Sequence, residues 1–548
     1  MVSEIIYLTS ELPGRRNRAM INTITMTKKA FSHFAQKLRN LPGLDWIALS
    51  AGVITYSGLT LATITGSSIW FDEAFSAYLT RFNFLDIARY TSTDVHPPVY
   101  YWILKLWTEL FGTSEVAFRS LSTLFGVTAI VFGFLIVKRL FGRRAAWVSL
   151  LFLSLSPMLI RYGQEARMYT LSATITLAVT YVLTFAIKSK ARKPWIIYGI
   201  LVSLGMWVHY FTALVWLSHW VWRAIVVRQT GARGKKFRLA FFTKNWVMAH
   251  IVAVGLFLPW LPFMVRQLTI VQSDGFWIGP VSVNSFTNYL TNVLFYLEHD
   301  QAALGYGTLF VVVITALVYF AIKLYKSLGR EKRKDYLLVM SVAFTPVVLL
   351  FIASTPPLQS SFVERYLIPS SAAFAMFAGI TLALGAKKLK AGWRVLMIGL
   401  VVVSMLLGIM NVYHYGNYNK NSGTKVMTRE VVRAIQAQAK PGEPIIAATP
   451  WIFYEAIFYN SARNPIYFIN AQTDYKYGSL DMLKDNAQFK IMDLKAFTKA
   501  HPKVWYIGFS ADKPLSPPDS SWKEIQNFAI YDPVDHKPNY RASEFSIN

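Results

Sequence analysis

Apolar residues fill long stretches of this chain, and the stretches recur: runs of about 20 residues with few charges, closed by lysines and arginines. A helix rises about 1.5 Å per residue, so such a run is long enough to cross a bilayer's hydrocarbon core. The pattern predicts spanning helices near 46–64, 118–137, 145–160, 168–187, 246–264, 304–322, 336–353, 366–384 and 395–412. The apolar run 195–227 is too long for one comfortable span and short for two, with basic clusters at both ends. Those clusters favour a hairpin turning at His209-Tyr210. The run 100–111 is too short to span and carries Lys105 and Glu109, so it is expected to lie along the membrane surface. The total is about eleven spans.

Charge gives the spans a direction. Arg15, Arg16, Arg18, Lys28, Lys29, Lys37 and Arg39 precede the first run. Further basic clusters fall at Lys138–Arg144, Lys188–Lys193, Arg228–Arg238, Lys323–Lys334 and Lys387–Arg394. Lysine and arginine excess marks the cytoplasmic side, and threading alternate spans puts every one of these clusters on that side. The N-terminus is then inside and the C-terminus outside. The loops 65–117, 265–303 and 355–364 face out.

Composition agrees with this picture and narrows it. Of 548 residues 54% are hydrophobic and only 16% charged, against about 25% charged in a soluble domain. The net charge of +27 would suit a nucleic-acid partner, but its placement is explained by orientation, so no nucleic acid is expected. There is no cysteine, which excludes disulfides and thiolate metal sites. Residues 1–40 lack an apolar core and a small-residue cleavage site, so the first span is expected to remain as an anchor. From 416 onward the chain reads as a small soluble α/β domain on the outer side. Helices are predicted at 428–440 and 451–459, and strands at 444–448, 465–469, 503–509 and 525–531. It has no Gly-rich nucleotide loop and no clustered metal ligands.

The candidate chemistry lies at the outer ends of the spans. Asp72 and Glu73 follow the first span, and acids at a membrane edge are costly enough to suggest function. Acids in a helix's first turn are also ordinary. His96-Pro97-Pro98-Val99-Tyr100-Tyr101 follows in the same loop, and Gln164-Glu165-Ala166-Arg167-Met168-Tyr169 sits where the third span leaves the membrane. His209-Tyr210 and Arg365 fall on the same side. Adjacent residues of a helix point about 100° apart, so Asp72 and Glu73 cannot flank one bond as a glycosidase's carboxylates do. A donor whose leaving group is a phosphate removes that need, because the phosphate departs as a stable anion. One carboxylate then suffices as base on an acceptor hydroxyl.

The order and shared side of these motifs resemble the GT-C integral-membrane glycosyltransferases, in particular the protein O-mannosyltransferase and lipid A aminoarabinose transferase group. The resemblance runs over about residues 46–385. It implies transfer of a sugar from a polyprenyl-phosphate carrier to an envelope lipid, glycan or protein, with inversion, at the outer face of the cytoplasmic membrane. By that match Asp72 is the base. Glu73 orients the acceptor or holds the loop as a structural ion pair. Glu165 assists the acceptor or orients a basic group.

Arg167 and Arg365 are candidate phosphate ligands, since a planar guanidinium fork suits phosphate oxygens. Both positions also suit interfacial anchors, Arg167 with Tyr169 or in an ion pair with Glu165. Tyr169, His96, His209 and Tyr210 complete the donor-binding set, with His96 open to a phosphate or acceptor contact or to a structural hydrogen bond. His209 stands where relatives place a phosphate-contacting lysine, and some relatives have a lysine near His96. No cofactor is implied, and no ligand cluster speaks for a divalent metal. Two readings from other classes remain open: a transporter or flippase of lipid-linked sugars, and a non-catalytic envelope scaffold.

Overall fold

The structure is a computed structural model describing residues 42–274, 278–297, 303–415, 418–419, 424–461, 463–469, 481–484, 487–509, 515–531 and 538–547. The basic tail 1–41 lies outside the described residues. Helix α1 (Gly43–Leu61) leads into three short helices, α2 (Phe71–Leu79), α3 (Phe84–Ser92) and α4 (Val99–Phe111). The long α5 (Glu115–Phe141) follows, then α6 (Arg143–Ser154) and α7 (Pro157–Gly163). After these come α8 (Tyr169–Ala186), α9 (Lys193–Val208), α10 (Thr212–Arg228), α11 (Gly234–Phe241) and α12 (Lys244–Phe257). The series ends with α13 (Leu261–Asp274), α14 (Val283–Phe295), α15 (Ala303–Ser327), α16 (Arg330–Ala353), α17 (Ile368–Ile380) and α18 (Ala391–Tyr415). Among the described residues eight helices are long and apolar enough to cross a membrane, or nine when the pair α6–α7 counts as one span bent by 52°. The protein is a multi-pass membrane protein.

Several elements depart from the sequence pattern for local reasons. The expected straight span 145–160 is the bent pair α6–α7, broken where Ser156 precedes Pro157, a residue that cannot donate to the preceding turn. The apolar run 195–227 is two helices, α9 and α10, with His209 at the end of the first. The expected loop 265–303 is largely helical. A 3₁₀ turn at Leu258–Trp260 carries Pro259, and Pro262 sits in the first turn of α13. Proline is tolerated there because first-turn N–H groups have no helical acceptor. The chain therefore bends and continues.

Within 52–548 the helices α8 and 364–388 are the most enclosed, each with 89% of its apolar window buried against other protein. α8 packs on α5 and α9, while α17 packs on α6, α8 and α16. These two central elements carry Tyr169 and Arg365 at their starts. Close approach there needs small residues: a Cβ at Gly163 or Gly126 would collide with the Tyr56 hydroxyl, which donates to the Leu159 carbonyl at 2.9 Å.

The C-terminal region holds a six-stranded sheet. Its strands are β3 (Ile445–Ala447), β4 (Ile466–Ile469), β5 (Lys490–Ile491), β6 (Lys503–Phe509), β7 (Lys523–Tyr531) and β8 (Pro538–Ser546), in the order β5-β4-β3-β6-β8-β7. A two-residue ladder, β1 (Tyr418–Asn419) with β2 (Thr424–Lys425), precedes it. β5, β4, β3 and β6 run parallel to one another; β8 runs antiparallel to both β6 and β7. Helix α19 (Thr428–Gln438) precedes β3, and α20 (Pro450–Tyr459) makes the crossover from β3 to β4. Ile446, Ile491, Val504, Trp522 and Phe545 form a hydrophobic core on this sheet. The predicted helices and strands are all present here; β5, β8, the β1–β2 ladder and the helices Asp481–Lys484 and Leu494–Ala500 are additions.

Candidate active site

Helix α2 starts at the Trp-Phe-Asp-Glu stretch and sends successive side chains in different directions, as the helical period requires. Phe71, Phe75 and Tyr78 meet the C-terminal domain at Tyr454, with ring centroids 6.0, 6.2 and 5.1 Å away. Glu73 turns inward to α5. Asp72 and Ser76, one turn apart, face a basic cluster.

Glu73 is fully buried and fully engaged. Its oxygens accept from Arg119 Nε at 2.8 Å and Nη2 at 2.7 Å, and Oε1 also accepts from the Ala166 N–H at 2.9 Å. Arg119, buried on α5, further donates to the carbonyls of Ile64, Ser67 and Ser68 at 2.7, 3.0 and 3.1 Å. One guanidinium thus ties the entrance of α2 to α5. Through Glu73 the same link reaches the 164–168 turn. The geometry is that of a structural ion pair, the second of the two roles open to Glu73.

Asp72 is placed differently. Its side chain keeps 18% of its surface, while Arg365 and Arg167 beside it keep 7% and 3%. Its Oδ2 lies 3.4 Å from Arg365 Nη1 and 3.9 Å from Arg167 Nη2. The two guanidinium groups are themselves fixed. Arg167 donates to the Tyr101 hydroxyl, to Ser76 Oγ and to the Asp72 carbonyl at 3.2, 3.2 and 3.3 Å. Arg365 sits near the rings of Trp70, Tyr169 and Tyr366 at 5.5, 5.8 and 5.9 Å, a cation–π surround. The Tyr169 hydroxyl is buried and has no hydrogen-bond partner among the described residues.

The remaining predicted residues divide. Glu165 is buried against Arg161, 2.8 Å away, so it reaches the cluster through its charge. His96 and His209 face one another with rings 5.6 Å apart, and His209 also lies 5.1 Å from the Tyr366 ring. Burial pushes both imidazoles well below their ordinary value, helped for His96 by the charge of Arg167 and for His209 by that of His96. Both are therefore neutral at pH 7. Asp94, 3.4 Å from His96, is pushed up to about 6 by burial, against the pull of Arg167. Tyr210 accepts from Trp260 Nε1 at 2.8 Å and donates to Gln267 Oε1 at 2.6 Å. His96, His209, Tyr210 and Tyr366 line one side of a cavity of about 220 Å³, and Leu214, Met264, Leu268 and Val271 give it an apolar lining. Among the described residues no three His, Asp or Glu side chains gather as a metal's ligands would.

Sequence reasoning did not single out Arg119, Tyr101 or Tyr366 as partners of the site. Arg119 did leave a signal: an arginine at the head of a long apolar run needs an anion or a row of carbonyls.

Comparison with known proteins follows the same lines. The dolichyl-phosphate-mannose-protein mannosyltransferase family matches residues 95–263. The crystal structure of ArnT from Cupriavidus metallidurans in the apo state superposes with a TM-score of 0.57 at 13% identity, covering 92% of this chain and 98% of that one. The same protein bound to undecaprenyl phosphate gives 0.54 at 14% identity, with the same coverage. An uncharacterized protein of Aquifex aeolicus (strain VF5) is 35% identical over 89 residues, 16% of this chain and 18% of that relative's length. At these identities the solved structures speak for the fold. The family match over residues 95–263 and the shared fold make this chain similar to the glycosyltransferases of the GT-C superfamily.

Proposed function

We propose that this protein is an inverting glycosyltransferase that moves a sugar from a polyprenyl-phosphate donor to an envelope lipid, glycan or protein acceptor. The observation that carries the reading is the Asp72 carboxylate flanked by Arg365 and Arg167 beside the largely apolar cavity. In this reading Asp72 Oδ takes the proton of an acceptor hydroxyl. The acceptor oxygen attacks the anomeric carbon from the face opposite the phosphate. The carbon–phosphate-oxygen bond breaks, and its electron pair leaves on the lipid phosphate. Arg365 and Arg167 hold that phosphate through charge-assisted hydrogen bonds. The orphan Tyr169 hydroxyl and the neutral His96–His209 pair offer hydrogen bonds to the sugar or phosphate, and Tyr210 shapes the wall. Glu165 holds Arg161 and biases the field; Glu73 holds the scaffold.

Undecaprenyl phosphate bound by the ArnT structure supports the lipid-phosphate donor. The placement in the membrane belongs to the same proposal: about eleven spans with α9 and α10 counted, N-terminus inside, the site and the C-terminal domain outside the cytoplasmic membrane. The domain limits belong to the proposal too: a basic tail 1–45, a membrane domain 46–415 and an outer domain 416–548. A transporter's site should lie near the midplane; here the ionisable groups collect at the ends of α7, α8 and α17.

The test is sugar transfer in membranes, with labelled polyprenyl-phosphate sugars and endogenous acceptors. Asp72→Asn should insert normally and lose about 10²- to 10⁴-fold in rate, the usual weight of a general base. Full activity in that variant would move the base elsewhere.

A further inference from the structure

The entrance to α2 has a hydrogen-bond problem that the membrane domain does not fully solve. The first N–H groups of a helix lack helical acceptors, and Trp70 at the cap position offers no capping oxygen. The Glu73 N–H bonds to the Trp70 carbonyl at 3.0 Å, and the N–H groups of the entering segment 68–71 are served largely by the C-terminal domain. The Ser68 N–H donates to the Val426 carbonyl at 2.9 Å. The Ile69 N–H donates to the Tyr459 hydroxyl at 2.7 Å. The Phe71 N–H lies near the Glu455 carboxyl and helps to hold its charge, and the Phe71 ring packs on Tyr454 and Trp451 of α20 at 6.0 and 6.2 Å. Only the Trp70 N–H bonds locally, to Glu73 Oε2 at 3.4 Å.

The two outer-domain side chains are themselves braced. Tyr459 donates to Glu115 at the start of α5, and Glu115 accepts from Arg429 at 2.7 Å. Arg429 also pairs with Glu430 at 2.6 Å, and Ser68 Oγ donates to Glu430 Oε2 at 2.9 Å. Glu455 is buried and accepts from Thr428 and Tyr540, each at 2.6 Å.

We propose that Tyr459 and Glu455 are positioning residues that fix the start of α2 and, through it, the direction of the Asp72 carboxylate. The outer domain then belongs to the active site as a frame, whatever else it binds. The inference rests on the reading of Asp72 as the base. The argument is one of chain mechanics. Asp72 is the residue directly after Phe71, and its own carbonyl accepts from Ser76 Oγ and Arg167 at 2.8 and 3.3 Å. A helix of nine residues is too short to hold its own first turn rigid. Removing the outer acceptors frees the segment 68–72, while the more deeply anchored Glu73 stays on Arg119.

Tyr459→Phe keeps the ring and removes both hydrogen bonds. Glu455→Ala removes the carboxyl beside the Phe71 N–H together with its bonds from Thr428 and Tyr540, and Glu455→Gln keeps an oxygen there. Two readouts are needed on the full-length protein: kcat and donor KM in the transfer assay, and amide hydrogen exchange of the segment 67–76. Tyr459→Phe and Glu455→Ala should each lower kcat by about tenfold or more with donor KM changed less than about twofold. Exchange at 69–73 should rise in both, and Glu455→Gln should restore most of each loss. Unchanged exchange, or raised exchange with unchanged kcat, overturns the proposal. Exchange needs no turnover. A wild type that transfers from no donor defeats the transferase reading, and the exchange experiment still decides whether α20 anchors α2.

Discussion

Glu73 and Asp72 are neighbours in sequence with opposite environments, and the difference predicts opposite failures. Removing Arg119 leaves the Glu73 carboxylate buried without its guanidinium, at a cost of about 3–5 kcal/mol. Arg119→Met should therefore lower the melting temperature in detergent sharply. Arg119→Met with Glu73→Leu should recover much of the loss, because a matched apolar pair carries no unpaired charge. Arg365→Lys should fold normally, since the buried cation is kept, and raise donor KM or lower kcat by about tenfold through loss of the planar fork. Steady-state kinetics in membranes checks it, and a variant with unaltered kinetics would remove Arg365 from the phosphate site. The sequence shows Asp72, Glu73, His96, Arg167, Tyr169, His209 and Arg365 as chemistry at span ends, and the fold gathers Asp72, His96, Arg167, Tyr169, His209 and Arg365 around one cluster. It does not show which acid is exposed. That depends on Arg119, 46 residues beyond Glu73.

At the scale of elements, periodicity works where one environment lasts a whole helix and fails where it changes. The hairpin α9–α10 is readable because its ends are basic and its centre polar. The bend between α6 and α7 is a matter of one proline in an otherwise continuous apolar run. Strand β8 is hidden for another reason: it lies between β6 and β7, yet its buried positions include Ser543 and Glu544. Glu544 is accommodated by Lys503 at 3.4 Å and Gln526 at 2.7 Å on the flanking strands, partners that no local pattern reveals.

The contact of α20 with α2 carries a pH prediction. Burial pushes the Glu455 carboxyl up to about 7 from the ordinary 4.5, opposed by the hydrogen bonds from Thr428, Tyr540 and Phe71 and reinforced by the Glu73 charge. A group raised in the folded state stabilises it below its unfolded value, and that stabilisation is lost as pH rises through the folded value. The melting temperature of the wild type relative to Glu455→Gln should thus rise as pH falls from about 7 towards 4.5. A difference independent of pH would mean that Glu455 does not titrate in this window.

At the scale of the molecule the organising fact is polarity. Among the described residues the basic clusters terminate apolar helices at one end, and the Asp72 cluster and the sheet domain come together at the other, joined by Tyr459, Glu455 and Arg429. The two ends are physically different: lysine and arginine are retained on the cytoplasmic side during insertion, and the proposed function uses its polyprenyl-phosphate sugar on the opposite side. The arrangement predicts sidedness, and the chain suits the measurement because it contains no cysteine. Single cysteines can be placed at Lys236 in α11 and at Ser520 in the sheet domain, both exposed. In intact cells a membrane-impermeant maleimide should label Ser520→Cys and leave Lys236→Cys unlabelled until the membrane is opened. The reverse pattern would put Asp72 on the cytoplasmic side and require a donor presented there. Labelling of both in intact cells would mean that the basic clusters do not share one side. The measurement also tests the span count. Ser520 and Lys236 fall on opposite sides only when an odd number of crossings separates them, and α12–α13, α15, α16, α17 and α18 supply five.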